Sequence, residues 1–568
     1  MKPTEAVRRA YERMNAETKQ PIWISRVPEE QAMARAFALE QHPEAAGGPL
    51  YGKVFAVKDN IDVAGLPTTA ACPAFAYTPE QSAPVVTLLE AAGAILVGKT
   101  NMDQFATGLV GTRSPYGACS SVLNAEYISG GSSSGSAVAV ALGQVDFALG
   151  TDTAGSGRVP AAFNELIGLK PTRGLISATG VVPACRTLDC VSIFTRETGL
   201  AGDVLLAAAK PDPADFLSRA AQGAKGTAWS AASFRLGVPA VSQLEFFGDG
   251  EAAKLFAASV ARFKQLGASV VEIDLSAFRA VAELLYSGPW VAERLAAIEA
   301  FAERHEADMN PVVAKIILGA RKYSAVDGFR SQYRLAELQR ACLREWEDMD
   351  CLLLPTTPTI FTHAEIAADP IGRNTQLGYY TNFVNLLDLS AIAIPAGRRP
   401  NGLPFGVTLT APAMAEPALL ATAERFLGGA GRSVVPGGFI EVAVVGAHLS
   451  GMPLNGQLSS RGAYLLEATR TATSYRLYAL ANTTPPKPGL EYVPGFDGPG
   501  IAVEVWAIPA AEFGSFVAEI PAPLGIGNAV LADGRSVKCF IAEPYALRDA
   551  EDITRFGGWR AYLQSRPA

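Results

Sequence analysis

Two glycine- and serine-rich loops, GGSSSGS at residues 130–136 and GTDTAGSG at residues 150–157, set Ser132 and Ser156 24 residues apart with an apolar segment between them. They lie in a stretch, residues 51–168, where short β-rich segments alternate with alanine-rich helical ones. Alternation of that kind argues for a mixed or parallel sheet wrapped by helices, an α/β architecture. Upstream, Lys58 directly follows the apolar run Val54-Phe55-Ala56-Val57, as a strand end delivering a side chain into a site would.

Those three residues carry a chemical constraint. The chain holds only four histidines, and a serine nucleophile without an imidazole beside it must lose its proton another way. A lysine kept neutral by burial can take that proton. Read singly, each feature is ordinary: a Gly/Ser run is a flexible turn or an anion-binding loop, and a lone lysine is a solvated charge. Residues 131–135 also satisfy G-x-S-x-G, the nucleophile elbow, with Ser133 as its serine. That motif needs an acid and then a histidine further along the chain. His42 precedes it, His305 lies in the charged run FAERHEAD, His448 falls in what reads as a separate domain, and nothing around His363 in TIFTHAEI singles it out. The elbow is therefore rejected.

The loops and Lys58 belong to a larger set of segments: YGKVFAVKDNID, ILVGKTNMDQFATG, YISGGSSSGSAVAVA, ALGTDTAGSGRVPAAFNELIGLKPTRG, DCLLLPTTPT and LSAIAIPAGRRPNGLPFGV. Taken together and in this order, over residues 51–412, they resemble the amidase signature family. The resemblance implies a hydrolase of linear amides with no cofactor, in which Ser156 is the nucleophile, Ser132 a relay serine and Lys58 the base. It also implies a cis peptide before the relay, here Gly131–Ser132. A proton would pass from Ser156 through Ser132 to Lys58 on attack, then return to the departing nitrogen. The loop Thr153-Ala154-Gly155-Ser156 offers consecutive backbone amides with small side chains, so Thr153, Ala154 and Gly155 are expected to form the oxyanion hole. Asp152 is expected to brace that loop and Thr151 to sit beside the relay.

Composition bounds the rest. At 568 residues, 49% hydrophobic and 18% charged, the chain can bury a large core and is too long for one compact unit. The start, MKPTEAVRRAYERMN, reads as an amphipathic helix with no apolar run after its charges, so no signal peptide is expected. No stretch reaches the roughly eighteen apolar residues of a membrane span. Seven scattered cysteines suit reduced thiols in a cytoplasmic protein, and without a CxxC set they give no reason to expect a metal site. A net charge of −7 and a pI near 5.4 tell against a nucleic-acid surface.

Along the chain, apolar residues at helical spacing predict a long helical stretch over residues 251–347, and strand-like runs return at 351–355 and 391–395. Lys210-Pro211-Asp212-Pro213 reads as a turn or short linker. The clearest boundary is the glycine-rich run at residues 428–438, giving an amidase signature domain over 1–431 and a second, α+β domain over 440–568. In the latter, Val442-Ala443-Val444-Val445, Tyr475-Arg476-Leu477-Tyr478 and Val503-Glu504-Val505-Trp506 argue for a sheet, with a hairpin at Asp533-Gly534.

One segment, LLYSGPWVAERLAAI, narrows the resemblance to the allophanate hydrolase branch. Pro289 is placed to start a helix through Arg294, with Tyr286 just before it. The resemblance implies that Tyr286 and Arg294 grip the substrate. Allophanate is a planar urea bearing a carboxylate, which a guanidinium holds with paired hydrogen bonds. The loop GTRSPYGACSSVLN is similar to that branch too, although Cys119-Ser120-Ser121 departs from its proline-containing pattern. The second domain resembles the C-terminal domain of longer allophanate hydrolases, related to the γ-glutamyl cyclotransferase-like fold. In that family it is associated with decarboxylation of the N-carboxycarbamate left when the first ammonia departs. There His448, in VGAHLSGMPLN, is the candidate to donate a proton or bind a carboxylate. The resemblance further implies a homodimer, with residues 251–347 a candidate for its interface, and association with urea carboxylase or other enzymes of one pathway. Competing readings are a general small-amide or malonamide amidase, the amidase-like component of a tRNA-dependent amidotransferase, and a silent scaffold, which an intact Lys58, Ser132 and Ser156 oppose.

Overall fold

The computed structural model of the chain describes residues 2–42, 48–220, 229, 233–429, 439–481 and 483–566. Met1–Ala221 with Arg235–Gly428 form one unit, and Gly429–Ala568 with Gln222–Phe234 form the other. Most of the glycine-rich run at 428–438 lies outside the described residues.

The first unit is built on strands β1 (Trp23–Arg26), β2 (Val54–Lys58), β3 (Ile95–Thr100), β4 (Ser120–Ser121), β5 (Asn124–Ile128), β6 (Phe147–Asp152), β7 (Ile167–Lys170), β8 (Cys190–Thr195), β9 (Phe234–Pro239), β10 (Ala268–Ile273), β11 (Cys351–Pro355), β12 (Leu389–Arg398) and β13 (Pro404–Pro412). Apart from the small β4–β5 pair, they form one mixed sheet in the order β1-β3-β2-β6-β8-β7-β12-β13-β11-β9-β10. Every residue of VFAVK, ILVGKT and FALGTD is buried, as in strands covered on both faces. β2 runs parallel to both its neighbours, β3 and β6. Their carboxyl ends therefore meet along one edge, where Lys58 pairs with Thr100 and lies beside the end of β6. Beneath that edge the rings of Phe55 and Phe147 stack at 5.1 Å.

Helix α1 (Ser134–Ala141) leaves the first glycine-rich loop and leads to β6; seven of its eight residues, Ser134 to Val140, are fully buried. The expected long helical stretch is broken into α2 (Gly250–Gln265), α3 (Ser276–Ser287), α4 (Trp290–His305), α5 (Pro311–Leu318) and α6 (Ala325–Glu345), with β10 inserted between α2 and α3. Gly267, at φ 104°, ends α2 in a conformation that favours glycine, and the β-branched ASVVEI run then enters the sheet. Six residues are too few to register against flanking helical periodicity. The strand-like runs at 351–355 and 391–395 are β11 and part of β12. Asp212, in the expected linker, accepts hydrogen bonds from Ser177 Oγ (2.6 Å) and Thr179 Oγ1 (2.7 Å), so that turn is tied into the first unit.

The second unit holds β14 (Phe439–Val444), β15 (Tyr464–Arg470), β16 (Tyr475–Ala479), β17 (Pro488–Tyr492), β18 (Ala502–Pro509), β19 (Leu524–Val530), β20 (Ser536–Ala542) and β21 (Glu551–Asp552). Five form a sheet in the order β15-β18-β14-β20-β19 and three another, β17-β16-β21. The β19–β20 hairpin turns at Asp533-Gly534, with Gly534 at φ 87°.

Candidate active site

The sheet edge described above delivers Lys58 into a closed environment. Its Nζ donates to Ser132 Oγ at 2.7 Å and to Thr151 Oγ1 at 2.8 Å. The side chain is fully buried and meets no carboxylate within ion-pair distance among the described residues. Burial pulls its pKa down to about 7, against the charges of Asp103, Asp189 and Asp152, with Arg294 adding to the depression. A neutral amine at neutral pH is what a base in this position requires.

Ser132 is held by its backbone. The Gly131–Ser132 peptide is cis, as the resemblance implies. Gly131 N–H donates to Leu109 O at 2.9 Å and Asp103 N–H to Ser132 O at 3.0 Å. Asp103 accepts from Gly111 N–H and Arg113 N–H, both at 2.9 Å, fixing the loop across from the relay. A Cβ on Gly131 would lie 2.3 Å from Asp103 Oδ2 and 2.5 Å from Gly111 N, so only glycine fits. Ser133, the rejected elbow serine, is bound to the backbone of Thr151: it accepts from its N–H at 3.3 Å and donates to its carbonyl at 3.2 Å.

Ser156 lies in the loop after β6, 3% exposed, with its hydroxyl donating to Gly108 O at 3.4 Å. Asp152 ties that loop down by accepting from Gly155 N–H (2.8 Å), Gly157 N–H (3.0 Å) and Arg158 Nε and Nη2 (both 2.9 Å). Burial opposes its charge, but Arg158 and these donors hold its pKa below the usual carboxylate range. The Gly155 amide is therefore engaged, which corrects its expected place among the oxyanion donors. The amides of Thr153 and Ala154 meet no acceptor among the described residues. Gly155 sits at φ 125° with Thr381 Oγ1 2.5 Å from where a Cβ would be, and Thr381 Oγ1 donates to Ala154 O at 2.6 Å.

Tyr286 and Arg294 come together, though from two helices: Tyr286 is in the last turn of α3, not the loop before α4. On α4 the buried positions are Val291, Arg294, Leu295, Ile298 and Ala302, so Arg294 occupies the apolar stripe. Its Nη1 donates to Thr107 Oγ1 (3.2 Å) and Ala106 O (3.4 Å), and its Nη2 reaches Tyr286 Oη at 3.5 Å. At 2% exposure it meets no carboxylate within ion-pair distance among the described residues. Thr107, Thr381 and Asp189 carry no signal in the sequence; each is a small polar residue in an irregular segment. The Cys119-Ser120-Ser121 departure is turned elsewhere: Ser120 Oγ meets His363 Nε2 at 3.0 Å and Ser121 Oγ donates to Phe163 O at 3.0 Å.

In the second unit His448 follows β14. Its Nε2 shares a hydrogen bond with Gln457 Oε1 (2.8 Å), and its ring stacks on Phe540 at 4.8 Å. Burial lowers its pKa, against the hydrogen bond to Gln457 and the charge of Glu519. It lines a cavity of about 130 Å³ together with Gln457, Lys487 and Glu519. Among the described residues there is no helix long and apolar enough to cross a membrane and no cluster of three or more metal-ligating side chains, and the seven cysteines are buried and unpaired.

A sheet edge presenting a buried lysine bonded to a cis-peptide serine, with a second serine in the carboxylate-braced loop after β6, is the arrangement of an amidase, and the chain belongs to that family: the amidase family model matches residues 5–420. Its second unit carries the allophanate hydrolase C-terminal domain, matched over residues 440–564. The chain is 44% identical over 573 residues to the urea amidolyase of Lachancea kluyveri, covering 96% of this chain and 31% of that protein. It thus spans about a third of the length of that relative. A solved structure of Kluyveromyces lactis allophanate hydrolase, 40% identical, superposes with a TM-score of 0.78 over 99% of this chain and 97% of that one. The urea amidolyase of Saccharomyces cerevisiae is likewise 44% identical, over 572 residues, 95% of this chain and 31% of that protein.

Proposed function

We propose that the chain is an allophanate hydrolase whose first unit, over residues 1–431, cleaves the amide through an acyl-enzyme. The observation that carries this reading is Arg294: a guanidinium at 2% exposure, hydrogen-bonded to neutral oxygens alone among the described residues, needs an anion. The carboxylate of allophanate supplies one, with Tyr286 beside it. A neutral small amide brings no anion to Arg294, leaving only the more distant charges of Asp189 and Glu293 to offset the guanidinium.

In this reading Ser156 exchanges its long bond to Gly108 for Ser132 when substrate binds, then attacks the carbonyl carbon. Its proton moves to Ser132 as the Ser132 proton moves to neutral Lys58. The oxyanion forms against the free amides of Thr153 and Ala154. Collapse of the intermediate expels ammonia, protonated along the same route, and water then attacks the acyl-enzyme with the relay acting again as base. Purified protein should release ammonia from allophanate and from none of biuret, malonamate and glutamine at a comparable rate, and Ser156→Ala should release none. Efficient turnover of malonamate would favour the general amidase reading, and of glutamine the amidotransferase reading. The second unit weighs against both.

The second unit, over residues 440–568, takes the N-carboxycarbamate, with His448 as proton donor or carboxylate partner in the cavity it shares with Lys487. His448→Asn should leave the first ammonia unaffected and delay the second; unchanged kinetics of both would remove this assignment. The same reading carries a cytoplasmic location and a supply of substrate from a urea-carboxylating enzyme, since allophanate is carboxylated urea. It also carries a homodimer. Val326, Phe329 and Tyr333 recur at helical spacing on α6 and stand exposed, as a face covered by a second copy would. Phe329→Asp with Tyr333→Asp should yield monomers by light scattering; an unchanged mass would exclude that face.

A further inference from the structure

The turn at residues 184–189 touches both halves of the site in the first unit. Asp189, 6% exposed, accepts the Thr153 hydroxyl in a short hydrogen bond and the amides of Ala184 (2.8 Å) and Cys185 (3.2 Å). Its neighbour Leu188 offers its carbonyl to Asn385 Nδ2 at 2.9 Å, and the same Asn385 amide donates to Asp152 O at 2.8 Å. That flank is therefore bonded to the loop bearing Ser156. On the other flank Cys185 Sγ donates to Trp290 O at 3.1 Å and Thr187 Oγ1 to Glu293 Oε2 at 2.8 Å. Trp290 and Glu293 form the first turn of α4, which carries Arg294. Asp189 itself meets no cation within ion-pair distance among the described residues; its charge acts on Arg294 and Lys58 only from further off, and its direct partners are Thr153 and the two backbone amides.

We propose that Asp189 is a positioning residue: through Thr153 it fixes the oxyanion-donor loop relative to the helix that carries Arg294, so that capture of the carboxylate and attack on the carbonyl share one geometry. The inference rests on the site assignment above. It has a physical basis in the steepness with which donor placement controls the barrier, since one misplaced oxyanion donor lowers kcat about 100- to 1,000-fold. Asp189 also adds negative charge near Lys58, together with Asp103 and Asp152 and against Arg294. Removing that charge eases loss of the lysine proton, which gives the Asp189 variants a pH readout alongside the rate.

The test uses the full chain with allophanate. Asp189→Asn keeps the size of the side chain and an acceptor for the two backbone amides. It should lower kcat by roughly 30- to 100-fold with KM within about threefold, and shift the acid limb of kcat/KM to lower pH. Thr153→Val removes only the hydroxyl link; kcat should fall about tenfold with the acid limb unmoved, and Thr153→Ser should restore it to within about threefold. An Asp189→Asn enzyme with wild-type kcat or an unshifted acid limb overturns the proposal. Should that variant not fold, wild-type kcat in Thr153→Val overturns it. Wild-type protein inactive on allophanate strikes the substrate assignment instead, and the same variants are then compared on the amide it does hydrolyse.

Discussion

Lys58 Nζ and Ser132 Oγ lie 2.7 Å apart at the carboxyl edge of a parallel strand trio, with neither group exposed. The amine of this pair has its charged form penalised by burial, and in the proposed mechanism the proton leaving Ser156 passes through the Ser132 hydroxyl to reach it.

The pH dependence follows from the sign of that shift. The base works only when neutral, so kcat/KM should rise with pH through about 7 and level above it, as read from initial rates. Stability carries the same signature. The unfolded chain keeps the Lys58 proton up to about pH 10.4, the native state only to about 7, so the native state binds fewer protons within that window. Relative to Lys58→Met, wild type should gain on the order of 1 kcal/mol per pH unit between pH 7 and 10, measured by urea unfolding at several pH values. A constant difference would mean that the lysine is charged in the fold.

Ser156→Ala and Ser132→Ala should each lower kcat/KM for ammonia release at least about 1,000-fold. Because the two hydroxyls act on one proton path, the double variant should be no worse than the more damaged single one. Additive losses would show two independent functions.

Arg294→Lys keeps the charge and loses the fork that reaches Thr107, Ala106 and Tyr286. The expected result is a loss of about 100-fold in kcat/KM for allophanate with little change for a neutral amide, compared side by side. Equal losses on both substrates would assign Arg294 to the scaffold.

Gly131→Ala drives a methyl group against Asp103 Oδ2 and the Gly111 amide. It should destabilise the fold by about 1–3 kcal/mol and abolish hydrolysis, seen in denaturant melts and ammonia assays.

Much of this site was legible because its parts are local patterns. Lys58 follows four apolar residues that can only be a buried strand, and the serines sit in runs whose small side chains admit close backbone approach. Arg294 was readable in principle from its place in the stripe of Val291, Leu295, Ile298 and Ala302. What escaped were the supports. Asp189 meets Thr153 across 36 residues and Thr381 meets Ala154 across 227, and no periodicity encodes such pairings. The engagement of the Gly155 amide by Asp152 was hidden for another reason: it depends on which way one peptide is turned, a choice made by the fold after the residues are fixed. β10 was lost among helices because six residues of strand cannot outweigh the periodicity on either side.

Lys58, Ser132, Ser156 and Arg294 come from four separate stretches of the first unit, the last of them carried by a helix far along the chain from both serines. The strands that continue the sheet beyond β6, β12 and β13 among them, also follow both serines in the chain, so a segment ending at Ser156 holds neither the complete sheet nor the buried guanidinium.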